Sequence, residues 1–379
     1  MKKIASIFFF LLMAFACREP FEPEIPQQNT SVLVVEGYLD SEGLESEIKL
    51  SRTVAINADT TLAPEIGAKI TLFSEEGVAY PISETEPGLY LFSHNVPEDK
   101  NYRIQIELKN GEIYESLPMK PILTPPIIDA GFQRDEEGVE VFITTQGNEN
   151  ADDFLWTYEE TWIYRPRIRV SYIYDTTLGT VRDRTEEENI SLCFKSEVSS
   201  DILLETSSRF QEQVVFRKTI SEIPQGDERI QDRYSILVSQ KAIDADAVQF
   251  WETLKRNTED IGSIFSPLPS LISGNIRAVG SSQTPVVGQI SMGVIQQSRI
   301  FINLSEVAPW GYLDPNFNDC IIGEEAVMME FYEQVFGSGS ILPARPLMAG
   351  TTIVGYYPSF RRCSDCTLYA SPIIPDFWE

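Results

Sequence analysis

Histidine is almost absent from this 379-residue chain, which contains only His94. A zinc site of the HExxH type needs two histidines and is therefore excluded, and a Ser-His-Asp triad would have to recruit this single residue, in a segment that we expect to form a turn. The chain also lacks a P-loop, a Gly-x-Ser-x-Gly motif and a dinucleotide-binding fingerprint. These absences predict a protein that is not an enzyme and that needs no cofactor.

Basic residues are also few. Thirty lysines and arginines stand against 57 aspartates and glutamates, which gives a formal net charge of −27. A chain this acidic repels the phosphates of nucleic acids and anionic lipid surfaces, so we expect no nucleic-acid partner. The acidic excess is typical of a protein that stays soluble in ionic surroundings, and a cation-binding role is the alternative.

Apolar runs of membrane-spanning length are missing as well. The mostly apolar run Ile4–Ala16 has thirteen residues, whereas a spanning helix needs about 20. It follows Met1-Lys2-Lys3 and ends with a small residue immediately before Cys17, which is the layout of a secretory signal before its cleavage site. We therefore predict a signal peptide over residues 1–16 and lipid attachment at Cys17. The start of a transmembrane helix is the alternative.

The segment that follows the leader predicts a tether. Residues 17–30 contain three prolines and three glutamates and show no apolar periodicity. Proline fixes φ and like charges repel, so we expect an extended segment that holds the folded body away from the membrane. The acidic residues after Cys17 resemble the surface-export signals of Bacteroidota lipoproteins. They indicate a lipid-anchored protein of the cell outer membrane that faces the cell surface.

Cysteine is scarce too, and four cysteines remain apart from Cys17: Cys193, Cys320, Cys363 and Cys366. An exported protein meets an oxidising compartment, so their even number predicts two disulfides, for which three pairings are open. The motif Cys363-Ser364-Asp365-Cys366 has two other interpretations, a redox dithiol and half of a zinc site. Redox motifs normally open a helix in a βαβ unit, and a four-thiolate zinc site would need a second pair of this kind.

Short alternating segments dominate residues 31–121. They are separated by Glu-Glu-Gly, Glu-Pro-Gly and Lys-Asn-Gly turns, which are typical of antiparallel strands. Such a series of about seven strands predicts a β-sandwich of immunoglobulin-like or transthyretin-like type. The predicted strands are Val32–Val35, Ile48–Arg52, Ala68–Phe73, Gly88–Phe92, Tyr102–Leu108 and Ile113–Tyr114.

Four prolines between Pro118 and Pro126 mark a boundary, after which residues 122–379 predict a second β-rich domain with a cysteine-containing C-terminal tail. One prominent helix is expected near residues 244–256, with Asp244 as its N-cap. Its Phe250 and Trp251 indicate packing against a sheet, and a sugar-stacking surface is the alternative. The predicted strands are Val139–Thr144, Phe154–Tyr164, Arg167–Tyr174, Val214–Lys218, Tyr234–Ser239, Ile300–Ile302 and Val327–Tyr332.

Two acidic patterns could carry chemistry. Asp314, Asn316, Asn318 and Glu325 have the spacing of a calcium loop, but the sixth position holds Asp319 where such a loop needs glycine, so an Asx-rich turn is the preferred interpretation. The neighbours Glu159 and Glu160 could act as paired acids in glycoside hydrolysis. On a strand they point to opposite faces, so we expect one of them to meet Arg165 or another base inside the fold.

The ordered motifs of the chain resemble a Bacteroidota lipoprotein family known as domain of unknown function 4249. They run from the leader and Cys17 to the C-terminal cysteines: Gly67–Leu72, Tyr158–Trp162, Phe250-Trp251, Pro269–Ile276, Cys363–Cys366 and Pro375–Trp378. The resemblance implies an outer-membrane lipoprotein, often encoded beside a TonB-dependent receptor, with no assigned reaction. One departure is that members commonly have a basic residue and a Gly-Thr pair where this chain has Thr367-Leu368-Tyr369.

The predicted function is therefore a non-enzymatic accessory or ligand-binding partner of a TonB-dependent transporter. A structural or assembly lipoprotein is one alternative, and a hydrolase acting on glycans or peptides is another. Loops on a rigid scaffold are the usual place for such contacts. The candidate contact residues are aromatics in segments rich in proline and glycine: Trp310, Tyr312, Tyr356, Tyr357 and Trp378.

Overall fold

The computed structural model describes residues 31–54, 63–259, 274–280, 285–312, 314 and 317–378. The predicted signal peptide, Cys17 and the tether lie outside these residues. The described part is mainly β, which confirms the predicted fold class. No helix within it is both long and apolar enough to cross a membrane.

The first half of the described chain is built from strands alone, apart from short 3-10 turns. The strands up to the helix are β1 Leu33–Asp40, β2 Ser46–Arg52, β3 Ala63–Pro64, β4 Lys69–Ser74, β5 Ala79–Glu86, β6 Leu89–Phe92, β7 Tyr102–Glu107, β8 Ile113–Ser116, β9 Ile127–Arg134, β10 Gly138–Gln146, β11 Asp153–Tyr164, β12 Tyr172–Asp175, β13 Thr180–Asp183, β14 Cys193–Val198, β15 Leu203–Thr206, β16 Val214–Pro224 and β17 Arg233–Ala242. The 3-10 turns among them are Glu186–Glu188, Gln211–Gln213 and Glu228–Ile230.

Helices and strands alternate in the remainder. The elements are α1 Ala245–Glu259, β18 Ile276–Ala278, β19 Val286–Gly293, β20 Ile295–Asn303, α2 Leu304–Val307, β21 Val327–Met328, α3 Tyr332–Phe336, β22 Ile341–Ala349 and β23 Thr352–Phe360. Further 3-10 turns are Met329–Phe331, Arg361–Cys363 and Cys366–Leu368. The predicted strand Val327–Tyr332 is wrong beyond Met328, because Tyr332 and Phe336 pack together at helical spacing.

The N-terminal strands form one ten-stranded sheet that curls around a single core. Its order is β18-β8-β7-β4-β5-β6-β2-β1-β19, with β3 paired to β2. Alternate side chains of nearly every strand enter the same apolar cluster, among them Leu33, Ile48, Leu72, Tyr90 and Ile104, each at most 1% exposed. The sheet is therefore nearly closed, and the two-residue periodicity read from the sequence marks its inner face.

Two strands of this sheet come from beyond the predicted first domain, residues 31–121. β19 pairs in parallel with β1, and β18 pairs with β8. Gly288 lets β1 and β19 approach each other closely, since a Cβ at this position would lie 2.4 Å from the carbonyl oxygen of Val35. The amide of Asn275 ties the start of β18 to β19, because its Nδ2 donates to the carbonyl of Ile290 (2.7 Å) and its Oδ1 accepts from the same residue's N–H (3.0 Å). Of the motif Pro269–Ile276, residues 269–273 lie outside the described part.

A second core lies between two further sheets. A three-stranded sheet, β16-β10-β9, packs on a sheet of order β14-β11-β17-β20, to which β15 adds by pairing with β11. Even-numbered residues of β11 face this core, and Trp156 is its largest fully buried side chain. Its indole Nε1 donates to Gln240 Oε1 at 2.9 Å, which satisfies the buried donor. A small hairpin, β12-β13, and a C-terminal sheet, β21-β23-β22, complete the chain.

Helix α1 is the prominent helix that the spacing predicts, and it continues to Glu259. Asp244 caps it as expected, because its Oδ1 accepts the N–H of Ala247 at 2.8 Å. Trp251 packs with Tyr38 and Leu155 in a cluster that joins the helix to both large sheets. The packing interpretation of Phe250 and Trp251 is thus confirmed, since their rings contact each other edge to face at 5.4 Å and Phe250 is 5% exposed.

Lys241 gives the fold a measurable pH dependence. It lies on β17 with Nζ donating to Thr157 Oγ1 at 3.1 Å, and burial lowers its pKa to about 8, with the charges of Glu159, Lys49 and Glu47 nearby. The unfolded chain keeps this proton until about pH 10.4. Between pH 8 and 10 the unfolded state therefore binds more protons, so the free energy of unfolding should rise by up to about 2 kcal/mol.

Urea unfolding at several pH values measures this rise, and Lys241→Met should abolish it. Lys69→Met, at an exposed site on β4, is the matched control that should retain it. Above pH 10 the slope should reverse, because burial raises the pKa values of Tyr102 and Tyr164 to about 12 and the folded state then holds the extra protons. A flat profile from pH 8 to 10 in the wild type would contradict the prediction.

Candidate functional site

All four cysteines of the described chain are paired in disulfides. Cys193 bonds Cys366 and Cys320 bonds Cys363, with Cα–Cα distances of 5.9 and 5.5 Å. The two disulfides predicted from the even cysteine count are confirmed, and one of the three open pairings is selected. Each cysteine of the Cys363–Cys366 motif bonds outside the motif, so its interpretations as a redox dithiol and as half of a zinc site are wrong.

A half-open cavity of about 210 Å³ lies where β11 ends. Its lining includes Tyr164, Arg165, Arg167, Arg169, Gln231 and Phe317. Both disulfides support its wall. Cys193 is the cross-strand partner of Tyr164, and Cys320 donates its N–H to the carbonyl of Phe317 at 3.0 Å. The cavity is therefore a braced feature of the fold, and we take it as the candidate functional site.

Three arginines within five residues make the lining of this cavity basic. The sequence predicts a strand over Arg167–Tyr174, but the structure has strand only from Tyr172, in β12. The N–H of Ile168 instead bonds the carbonyl of Cys363 at 3.0 Å. Ile168 and Val170 pack into an apolar cluster with Leu342, while Arg165, Arg167 and Arg169 line the cavity.

The three arginines differ in their partners. Arg165 forms an ion pair with Asp232 and donates Nη1 to the carbonyl of Ser191 at 3.3 Å, so its position is fixed. Arg167 and Arg169 are exposed, and neither makes a hydrogen bond or ion pair with another residue of the described chain. Within the described residues, these two guanidinium groups are thus open to a ligand.

Aromatic rings and carboxylates also lie in and around the cavity. Tyr312 and Asp314 also line the cavity, and burial, with the negative charge of Asp314 nearby, raises the pKa of Tyr312. Lys195 lies 4.2 Å above the ring of Tyr164 and donates to Glu228 at 2.6 Å. The carboxylates of Asp232 and Glu228 are therefore already paired with cations, whereas Arg167 and Arg169 pair with no carboxylate of the described residues.

Gln231 adds an unused donor. It lines the cavity, and its Nε2 is buried without a hydrogen-bond partner in the described chain. Buried polar groups are nearly always paired, so this donor is an exception in the wall of the cavity. No sequence motif distinguishes Gln231, and the cluster Arg165-Pro166-Arg167-Ile168-Arg169 is the one signal that could have located this cavity.

A second feature is an apolar surface on the C-terminal sheet. Met348 pairs with Ile353, and Met328 pairs with Gly355. A register shift lies between these two pairs, so Met328 and Tyr357 share one side of β23, opposite the core-facing Tyr356, whereas Met348 and Ile353 lie beyond the shift. We call Met328, Met348, Ile353 and Tyr357, apolar side chains that this sheet leaves at its surface around the shift, the outer apolar face; its aliphatic members are 36%, 49% and 39% exposed. Exposed apolar patches, especially those rich in methionine, are typical of interaction sites.

The structure places the five aromatic residues predicted as contacts in different environments. Burial removes Trp310 and Tyr356 from any contact surface, since they are 2% and 5% exposed and Trp310 Nε1 donates to the carbonyl of Asp227 at 2.8 Å. Tyr312 lines the cavity and Tyr357 belongs to the outer apolar face. Trp378 packs edge to face on Phe194 at 5.0 Å, which ties the tail to β14. A sequence pattern of aromatics among prolines does not separate these positions.

The acidic patterns resolve differently. Asn316 lies outside the described residues, so the calcium loop stays an alternative to the preferred Asx-rich turn. Asp319 pairs with Arg362, and Asn318 and Glu325 are exposed. No group of three or more His, Cys, Asp or Glu that could hold a metal occurs in the described residues.

The adjacent glutamates face opposite ways, as predicted. Glu159 is exposed, while Glu160 is 6% exposed and accepts from Arg229 Nη1 at 2.8 Å. Its base is therefore Arg229, and Arg165 pairs elsewhere. The two carboxylates do not face a common space. The histidine also lies apart from them, with His94 Nε2 3.1 Å from the carbonyl oxygen of Pro81.

Comparisons with known proteins give a family but no activity. No curated protein matches the chain. Among solved structures, a pullulanase complexed with maltotriose from Anoxybacillus sp. LM18-11 is 12% identical with a TM-score of 0.14, over 55% of this chain and 24% of that one. A DUF4785 family protein from Legionella pneumophila is 7% identical with a TM-score of 0.16, over 54% and 49%. The chain thus spans half or less of these proteins, and likenesses this weak carry no argument. The family described as "Domain of unknown function (DUF4249)" matches residues 18–299, and the chain belongs to this family.

Proposed function

We propose that the chain is a lipid-anchored protein of the cell outer membrane that acts as a non-enzymatic, ligand-binding partner of a TonB-dependent transporter. One observation carries the proposal. The chain has five cysteines, and the two disulfides use four of them. Cys17 alone is left, at the position directly after the predicted signal peptide. Disulfides persist in exported proteins, so both facts fit a protein held in the envelope through Cys17.

The outer apolar face supports the partner in this proposal. The chain carries a net charge of −27, yet this face presents two methionines and an isoleucine beside Tyr357, whose ring lies 4.5 Å from the guanidinium of Arg345. An apolar patch on an otherwise charged surface suits contact with another protein. The membrane-embedded transporter is the partner that the family resemblance implies, and a lipid anchor would keep both proteins in one plane.

Membrane fractionation tests the anchor. We expect wild-type protein in the outer-membrane fraction with an acylated mass at its N-terminal cysteine, because several acyl chains hold a protein firmly. Cys17→Ser should move it to the soluble fraction or leave it as an uncleaved precursor. Gln27→Ser, a matched change in the predicted tether, should leave it in the membrane. A wild-type protein with a free Cys17 thiol would overturn the anchor.

The same membranes, extracted with mild detergent, test the partner. A TonB-dependent transporter should co-purify with the wild type, and the pair Met328→Asp and Met348→Asp should reduce its recovery at least tenfold. Ile128→Asp with Val198→Asp adds the same charge at exposed apolar sites on other strands and is the control. Recovery of no transporter with the wild type would favour the structural or assembly role instead.

A further inference from the structure

We propose that the arginine-lined cavity binds a small organic carboxylate that contains one ring. The inference rests on the proposed ligand-binding role and names its ligand class. Its argument uses only the cavity and needs neither the anchor nor the transporter. The residues that carry it are Arg167 and Arg169, with the aromatic residues Tyr164, Tyr312 and Phe317, which all line the same space.

The cavity is basic, although the chain as a whole is acidic. With 57 acidic residues against 30 basic ones, most of the surface repels anions. At the cavity the excess of acidic over basic groups reverses, because the carboxylates of Asp232 and Glu228 are already paired with Arg165 and Lys195. Among the described residues that line the cavity, two exposed arginines, Arg167 and Arg169, then stand beside one carboxylate, that of Asp314. The cavity is therefore a local attractor for a negative group.

The kind of anion follows from the donors. A guanidinium group is a planar fork that matches a carboxylate or a phosphate through paired hydrogen bonds. Phosphate carries about −1.5 to −2 charges at pH 7, so Asp314 and the overall acidity of the chain repel it more than a carboxylate with one charge. These donors favour a monoanionic carboxylate.

The rest of the ligand follows from the walls and the volume. Tyr164, Tyr312 and Phe317 line the cavity, and aromatic faces suit a ring packed in offset or edge-to-face contact. A volume of about 210 Å³ equals that of about seven waters at ~30 Å³ each. This space is large enough for one ring with its carboxylate. It is too small to enclose a folded polypeptide or a whole polymer.

Isothermal titration of the purified full-length protein tests the inference with three probes: benzoate, its neutral analogue benzamide, and inorganic phosphate. Benzoate should bind at one site per chain, at least ten times more tightly than benzamide or phosphate. Arg167→Gln with Arg169→Gln should weaken benzoate binding at least tenfold. Both arginines are exposed, so the thermal midpoint of the variant should match that of the wild type.

The control is Arg103→Gln with Arg345→Gln, which removes two exposed arginines from other sheets and should leave benzoate binding unchanged. Equal affinity for benzoate and benzamide, or equal binding by the Arg167 and Arg169 variant, would overturn the inference. Tighter binding of phosphate than of benzoate would overturn the carboxylate assignment. The proposed transporter interaction is read from co-purification, so either proposal can fail while the other stands.

Discussion

Replacing Cys193 and Cys366 with serine should lower the free energy of unfolding by about 5 kcal/mol, and replacing Cys320 and Cys363 should lower it by about 4 kcal/mol. The first bridge joins residues 173 apart and the second joins residues 43 apart. Each bridge restricts the unfolded chain, and the longer closed loop loses more entropy. The larger loss is therefore expected from the longer loop.

Urea unfolding followed by tryptophan fluorescence measures both losses. Wild type in the presence of a reductant should approach the behaviour of the four-serine variant, whereas Ser364→Ala, inside the same motif, keeps both bridges and serves as the control. Each pair of serines should also loosen one wall of the cavity, because Cys193 lies beside Tyr164 and Cys320 is bonded to Phe317. A loss below about 1 kcal/mol for either pair would show that the remaining packing fixes these segments without the bridge.

The second large effect is expected at the buried ion pair of β11. Arg229→Met should lower the free energy of unfolding by about 3–5 kcal/mol, because it leaves a buried charge without its cation. Glu160 lies on the core-facing side of β11 among Tyr158 and Trp162, and after the change only the hydroxyls of Tyr234 and Ser221 would remain to solvate it. Burial and this carboxylate already raise the pKa of Tyr234 well above its ordinary value.

A double-mutant cycle measures the interaction free energy between Arg229 and Glu160 apart from their other contacts. Adding Glu160→Gln to Arg229→Met should restore much of the loss, since the buried charge is then gone. The control is Lys100→Met, which breaks an exposed pair with Glu76 and should leave the free energy of unfolding unchanged. If both double and single variants at Arg229 unfold alike, the two side chains are not coupled and the ion pair contributes nothing specific.

Local patterns predicted the parts of the fold that depend on neighbouring residues. The alternation in Phe154–Tyr164 gave a strand, and the period of two correctly placed Glu159 and Glu160 on opposite faces, although it did not indicate which of them lies inside. Asp244 was identifiable as a cap because the interaction joins residues three apart. These features are local in the chain, so a short window contains the information that determines them.

Pairings between distant segments could not be predicted in this way. Nothing near β1 indicates that its edge pairs with β19, and the cysteine count allowed three pairings with equal support. The strand predicted at Arg167 failed because its backbone bonds to Cys363, a residue far along the chain. The candidate site has the same origin, since β11, the Gln231 turn and the Phe317 segment meet only in the folded protein.

The parallel contact between Leu33 and Val286 has a consequence for biogenesis. A ribosome delivers β1 long before its neighbour, so the N-terminal sheet stays incomplete until most of the polypeptide has emerged. Under the export proposed above, the substrate must pass a narrow translocon unfolded, and late pairing of β1 with β19 would keep the chain unfolded for that passage. The sheet would then be completed in the compartment where the proposal has the cysteines oxidise.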